Sequence, residues 1–306
     1  MTKTGVLFAG QGAQKLGMAK DLYDAFDIVR NTYAEASEIL GYDLRELIDH
    51  DDEKLAETKY TQPAILTTSV AILRLLESKG FTYDVVAGLS LGEYSALVAS
   101  GSLSFADALR LVAKRGQYMA EAAPTGSGKM VAVMNTPADV IEAACQTASE
   151  KGIVSPANYN TPAQIVIGGE VVAVDEAVAL LTQAGVKRMI PLKVSGPFHT
   201  ALLAPASEKL AAELEQVDFQ AFTKPLISNT TARVMPFDEI KTLLTRQVKE
   251  PVKFYESIET MISLGVTEFI EIGPGKVLSG FVKKIDKTVG IVHVEDLVSF
   301  NAILEK

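Results

Sequence analysis

Short apolar runs alternate with helical patterns along the chain. That alternation confines it to an α/β architecture with a mainly parallel sheet, because strands running the same way need a crossover, usually a helix, between them. VLFA (6–9) reads as the first strand and breaks into GQGAQ, and helical segments follow over 15–40 and over TQPAILTTSVAILRLLES (61–78). A second strand, 84–87, runs straight into GLSLGEYSA (88–96). SFADALRLVAKRGQYMAEAA (104–123) is the next helix, with Ser104 and Asp107 in the N-cap and N3 positions.

The pattern changes at PTGSG (124–128). From there the order is strand 130–134, helix 138–150, strands at IVSPA and QIVIGG, helix 174–184 and strand 187–192, which is the βαββαβ order of a ferredoxin-like unit. Residues 125–193 are therefore expected to form a small domain inserted into a larger α/β domain made of 1–124 and 194–306. The larger part continues through helix 200–216, a strand around Leu226–Asn229, helices 238–247 and 254–264, and late strands in FIEIGPG (269–275) and GIVHVE (290–295).

With 306 residues, 48% of them hydrophobic and 22% charged, the chain can bury a large core. No run approaches the roughly 18 apolar residues of a membrane span, and MTKTGVLFAGQG reaches a Gly-rich loop before a signal-peptide core could form, so a cytoplasmic location with no membrane partner is expected. The single cysteine, Cys145, leaves no internal disulfide or cysteine-based metal cluster and reads as a buried structural residue. A net charge of −9 argues against nucleic-acid binding, which would show a basic stripe.

Two stretches imitate nucleotide sites. APTGSGKM (123–130) resembles a phosphate-binding loop, but Met130 stands where a hydroxyl would reach magnesium, and a helix precedes it. GQGAQK (10–15) begins like a dinucleotide fingerprint, but Lys15 occupies the position that needs Gly or Ala for close helix–sheet packing.

The Gly-x-Ser-x-Gly of GLSLG differs from both because its context is right. Gly88 and Gly92 bracket a turn from strand to helix too tight for a Cβ, which lifts Ser90 at the carboxyl end of the sheet and aims the Leu91 N–H at any oxyanion formed there. A helix N-cap serine is the competing reading. Of three histidines, His50 falls in the acidic stretch IDHDDEK, read as a solvated loop, and His293 alternates within a strand pattern. His199 follows the Gly196-Pro197 turn and precedes a helix, whose dipole would favour the neutral, proton-accepting imidazole. The Gly10-Gln11-Gly12 loop after the first strand would place a second set of amides on the same side as the Ser turn. On helix 104–123, Arg115 shares the apolar stripe of Ala108, Val112 and Met119, so it needs an anionic partner, either a protein carboxylate such as Glu93 or a substrate.

GQGAQ, GLSLGEYSALVASG, the Arg of LVAKRGQYM, NYNTPAQIVIGG, SGPFHT, RQVKEPVKF and EIGPGKVLSG, in this order and over essentially the whole chain, resemble the malonyl-CoA:acyl carrier protein transacylases. The resemblance implies an α/β-hydrolase-like large domain with a ferredoxin-like insertion. It also implies a malonyl group taken from malonyl-CoA by Ser90 and passed to the phosphopantetheine thiol of acyl carrier protein in fatty-acid synthesis, by ping-pong kinetics. His199 would be the base, oriented by a backbone carbonyl near Gln247 rather than by an aspartate, and Gln11 and Leu91 would supply the oxyanion amides. Arg115 would hold the malonyl carboxylate, Phe198 matches the malonyl form of its motif, and Gln247, Asn160 and Met119 would border the substrate. Many members carry His where this chain has Leu89. No metal or bound cofactor is implied, coenzyme A entering only as the thioester substrate, and a monomer is the simplest assembly. A polyketide-assembly acyltransferase would share every site residue, a serine esterase would share Ser90 and His199 without reason to keep Arg115, and a non-catalytic carrier-binding module would be expected to lose one of the pair. For an acidic carrier, Lys187 and Arg188, with Lys276, Lys283 and Lys284, are the candidate cationic patch.

Overall fold

The apolar run VLF is completely buried, and the strand that contains it is central to everything around it. The computed structural model describes residues 2–124, 126–194 and 196–305, so the boundary expected at residue 125 lies outside the described residues. In chain order the first half comprises β1 (Lys3–Phe8), α1 (Lys20–Ala25), α2 (Asp27–Leu40), α3 (Leu44–His50), α4 (Asp52–Ala56), α5 (Thr58–Ser78), β2 (Val85–Gly88), α6 (Gly92–Ala99) and α7 (Phe105–Ala122). Then come β3 (Lys129–Met134), α8 (Ala138–Ala148), β4 (Val154–Thr161), β5 (Gln164–Gly169), α9 (Val171–Gln183) and β6 (Met189–Pro191). The chain finishes with α10 (Ala204–Leu214), α11 (Ile240–Gln247), β7 (Val252–Lys253), α12 (Phe254–Ser263), β8 (Val266–Ile272), α13 (Val277–Ile285), β9 (Gly290–Val294) and α14 (Leu297–Leu304).

These strands form two sheets. The first has the order β2-β1-β8-β9 and is parallel throughout, as the alternation of strands and helices requires. Its faces are covered by two apolar clusters, one around Val6, Phe8, Leu66 and Leu97 and one around Leu7, Phe254, Ile258 and Phe269. The second sheet has the order β6-β3-β5-β4-β7. Its first four strands pair antiparallel in the order a βαββαβ unit gives, and α8 and α9 pack over them in a separate core that includes Cys145. Burial pushes the Cys145 thiol up to about 12, which keeps it inert. The two-residue β7, from outside residues 125–193, adds to β4 in parallel through Asn158 and Tyr159.

Three expectations need correction. The strand expected around Leu226–Asn229 makes only two isolated bridges, Leu226 to Val86 in parallel on the free edge of β2 and Ile227 to Val234 antiparallel. Ser228 already turns back to bond the Arg233 carbonyl, and Asn229 is drawn to the site described below, so the pairing cannot continue. IDHDDEK is not a loop: His50 is the last residue of α3, exposed and 3.2 Å from Glu46, because Asp43 and Asp51 cap two short helices by accepting the N–H groups of Glu46 and Lys54. The helix expected from 200 begins instead as a 3₁₀ turn at Ala201–Leu203 and becomes α-helical only at Ala204.

The register of the parallel sheet decides where the site lies. Phe8 of β1 pairs with Gly88 of β2, so the loops leaving both strands emerge side by side at their carboxyl ends. The Leu89 N–H donates to the Phe8 carbonyl at 3.1 Å, and a Cβ on Gly10 would stand 2.5 Å from the Leu89 oxygen.

Candidate active site

The turn after β2 is as tight as its glycines suggest. A Cβ on Gly88 would lie 2.0 Å from the Gly92 carbonyl carbon, and one on Gly92 would lie 2.1 Å from the Phe8 oxygen. Ser90 between them is held at φ 53°, a left-handed conformation that a non-glycine residue adopts only when its surroundings enforce it. Here the enforcement is visible: the Ser90 N–H donates to Asn229 Oδ1 at 2.5 Å and its carbonyl accepts from Gln247 Nε2 at 3.0 Å. The Ser90 hydroxyl caps no helix. Its Oγ lies 2.7 Å from His199 Nε2.

The tautomer of His199 follows from its other nitrogen. Nδ1 is 2.7 Å from the Gln247 backbone carbonyl, which can only accept, so Nδ1 carries the proton and Nε2 is the free base facing the serine. His199 is itself at φ 59° and buried. Burial, helped by the nearby Arg115 charge and opposed by the Gln247 carbonyl, pulls its pKa down to about 4, so the imidazole is neutral at pH 7. The neutrality expected from the sequence is present, but burial produces it and not a helix end.

Arg115, on the buried face of α7, is only 1% exposed. Its Nη1 donates to Gln62 Oε1 at 2.8 Å, and its Nη2 donates to Gln247 Oε1 at 3.0 Å and to Ser90 Oγ at 3.2 Å. The Tyr94 ring lies beneath the guanidinium, 5.5 Å from centroid to carbon, and Nε has no acceptor among the described residues. Among the described residues no carboxylate pairs with Arg115. Glu93 points past it, accepting from the Asn229 N–H at 3.2 Å and from Gln247 Nε2. The direct ion pair considered from the sequence is absent, and a buried cation stands beside the serine with only neutral partners.

A cleft of about 290 Å³ opens over these groups, walled on the other side by Met130, Asn158, Asn160 and Val166 of the second sheet. Gln11, Met119 and Phe198, together with Ser90, Arg115 and His199, complete its lining. Gln11 sits in the loop after β1, anchored by its side-chain amide to Thr58 at 3.0 Å. Among the described residues no acceptor takes the N–H of Gln11 or of Leu91, the two amides expected to face an oxyanion. Leu91 stands at the N-cap of α6. Asn160 donates to Gln164 at 3.1 Å while its Oδ1 has no partner. Leu89, which follows β2 directly, also lines the cleft.

All nine residues singled out from the sequence are thus gathered at or beside one cleft. Two others were missed. Gln62, within TQPAIL, orients Arg115 and also lies 3.4 Å from Met119 Sδ; nothing in its own neighbourhood distinguishes it from any polar residue at a helix start. Asn229 was assigned to a strand, yet it clamps the Ser90 N–H and donates through Nδ2 to the Gly88 carbonyl. Among the described residues no group of three or more His, Cys, Asp or Glu is placed to hold a metal ion. Lys187 and Arg188 precede β6, and Lys276, Lys283 and Lys284 lie at the start and end of α13; all five are exposed.

Comparison with known proteins gives a consistent result. Residues 6–299 match the model of the acyl transferase domain. The malonyl CoA-acyl carrier protein transacylase of Bacillus subtilis (strain 168) is 47% identical over 299 residues, covering 97% of this chain and 94% of the relative. The crystal structure of MCAT from Streptococcus pneumoniae superposes with a TM-score of 0.97 at 69% identity, covering 99% of each chain. A malonyl-transacylase solved in complex with its type II PKS acyl-carrier protein gives a TM-score of 0.96 at 43% identity over 99% of both chains.

Proposed function

Since the chain belongs to the acyl transferase domain family, we propose that it moves a malonyl group from malonyl-CoA to the phosphopantetheine thiol of acyl carrier protein for fatty-acid synthesis, through a malonyl ester on Ser90. The observation that carries this reading is Arg115, a buried guanidinium without a carboxylate partner, 3.2 Å from the Ser90 oxygen. A planar fork in that position suits a substrate carboxylate, which it grips through two parallel hydrogen bonds, and it has no use for an acyl group that lacks one.

Ser90 Oγ attacks the thioester carbonyl carbon as its proton passes to His199 Nε2, forming a tetrahedral oxyanion beside the Gln11 and Leu91 N–H groups. The carbon–sulfur bond then breaks, and the coenzyme A thiolate leaves with the proton from Nε2. In the second half-reaction the carrier thiol gives its proton to the same nitrogen, its sulfur attacks the ester carbonyl, and the released Ser90 oxygen recovers the proton. Both halves balance on thioester, serine and thiol, so the reading calls for no metal or redox cofactor. Because the Gln247 carbonyl keeps the Nδ1 proton in place, no aspartate is required behind the base.

Phe198, Met119 and Asn160 border the acyl group in this reading, and residues 125–193 form the inserted unit that carries the far wall. The exposed lysines and Arg188 are proposed to receive an acidic carrier. None of the described helices is long and apolar enough to cross a membrane, and a cytoplasmic site of action is proposed. The test is intact mass after mixing with malonyl-CoA and no carrier. One added malonyl group that persists until the carrier thiol is supplied supports transfer, whereas rapid hydrolysis without an adduct would indicate an esterase.

A further inference from the structure

Glu93 lies in the first turn of α6, three residues beyond the serine, and is only 1% exposed. No step of the transfer uses it. A carboxylate placed so deep costs free energy unless it is fully engaged, and burial pushes its pKa up to about 7 against the bonds that hold it. Those bonds come from Ser228, Asn229 and Gln247, the last two with related tasks. Oε1 accepts the backbone N–H of Asn229, whose side chain takes the Ser90 N–H, and Oε2 accepts Gln247 Nε2. The Gln247 amide in turn bonds the Ser90 carbonyl and offers Oε1 to Arg115 at 3.0 Å.

The amide of a glutamine can be turned end for end, and its neighbours decide which way it lies. Both Glu93 oxygens accept from N–H donors here, and a guanidinium only donates. Glu93 therefore draws the Gln247 nitrogen to itself and leaves the oxygen to Arg115. The arrangement also separates the two buried charges. Glu93 offsets the charge of Arg115 through a neutral spacer, while the guanidinium stays free of a carboxylate that would compete with one on a substrate.

We propose that Glu93 is a positioning residue for malonyl specificity, fixing the orientation of the Gln247 amide so that Arg115 is aimed at the substrate carboxylate. With an amide at position 93, Gln247 loses the constraint on its orientation, and its NH₂ group can turn toward the guanidinium and repel it from its place. Misplacement of this kind acts on malonyl, which uses Arg115, more than on acetyl, which does not.

The proposal rests on the acyl-transfer reading above, and the experiment keeps the two apart. Single-turnover loading from malonyl-CoA and from acetyl-CoA is measured by intact mass for the wild type and for Glu93→Gln, with melting temperatures alongside. The expected result is a malonyl-to-acetyl rate ratio about tenfold lower in the variant, at little change in melting temperature. A ratio within about twofold of wild type overturns the proposal, whether both rates are unchanged or both fall together, since an equal fall marks a purely structural residue. Should Glu93→Gln fail to fold, Glu93→Asp carries the same test. It keeps the charge but is one methylene short of Gln247, so a lowered ratio supports the role and an unchanged ratio overturns it. A wild-type protein that acquires neither acyl group overturns the acyl-transfer reading, and this inference with it.

Discussion

On the parallel-sheet side of the cleft the serine, the imidazole and the guanidinium are each held by more than one hydrogen bond, while the Gln11 and Leu91 N–H groups and Arg115 Nε are left without an acceptor among the described residues. Ser90 is clamped through both its N–H and its carbonyl, His199 through both ring nitrogens, and Arg115 by Gln62 and Gln247. Across the gap the second sheet presents Met130 and Val166 beside Asn160, whose Oδ1 has no partner among the described residues. The difference teaches that the two walls meet different demands. Reacting atoms must be held to within fractions of an ångström, which takes several bonds to each reacting group, whereas a wall that only borders a flexible substrate arm needs shape and one or two polar contacts.

That contrast is open to direct attack, and the most severe test is at the serine. Ser90→Ala should form no acyl adduct with malonyl-CoA by intact mass, and full transfer activity in this variant would remove the parallel-sheet wall from the chemistry altogether.

Next in size is the base. His199→Ala should slow loading by roughly a hundredfold to ten-thousandfold while leaving the fold intact. The same residue sets the acid limit. Because the folded pKa is lowered to about 4, His199 stays an acceptor as pH falls through the ordinary imidazole range, and the single-turnover loading rate from acetyl-CoA, which does not use Arg115, should fall only as pH approaches about 4. A limb near 6.5 would mean that the imidazole is far wetter than its burial indicates.

Arg115 sharpens the comparison by separating the substrates. Arg115→Ala should cost malonyl loading about 2 to 5 kcal/mol, read as a ratio of kcat/KM values, with acetyl loading steady or improved. Arg115→Lys should restore little of it, because an ammonium lacks the fork. Equal losses for both acyl groups, together with a lower melting temperature, would make the residue structural.

The smallest effect is expected across the cleft. Asn160→Ala removes one hydrogen bond to Gln164 and one unpartnered oxygen, and should change kcat/KM for malonyl-CoA by less than about tenfold. A loss as large as that of His199→Ala would abolish the distinction between the walls.

The same division explains what was legible in the sequence. The elbow announces itself because Gly88, Ser90 and Gly92 are local, each forced by the steric limits of one turn, and the βαββαβ order is written in successive periodicities. Arg115 is visible as a charge on an apolar stripe. Asn229 and Gln62 are not, since each acts through a partner far along the chain and neither sits in a pattern of its own. The short helices α3 and α4 were also overlooked, although Asp43 and Asp51 each cap one, because five- and seven-residue segments give periodicity too little length to register. Glu93 is legible from its place just after the elbow only as one candidate partner for Arg115, and the fold interposes Gln247 between them.

The two-residue β7 gives the molecule a mechanical property. It is stitched to the edge of the second sheet through Asn158 and Tyr159, and the same short run of backbone leads back to Gln247, whose carbonyl steers the base. The far wall and the catalytic imidazole therefore hang from one tether. The wall that borders the substrate and the carbonyl that orients the base are thus joined by four residues of backbone, the shortest covalent route between the second sheet and the proton-transfer site among the contacts described above.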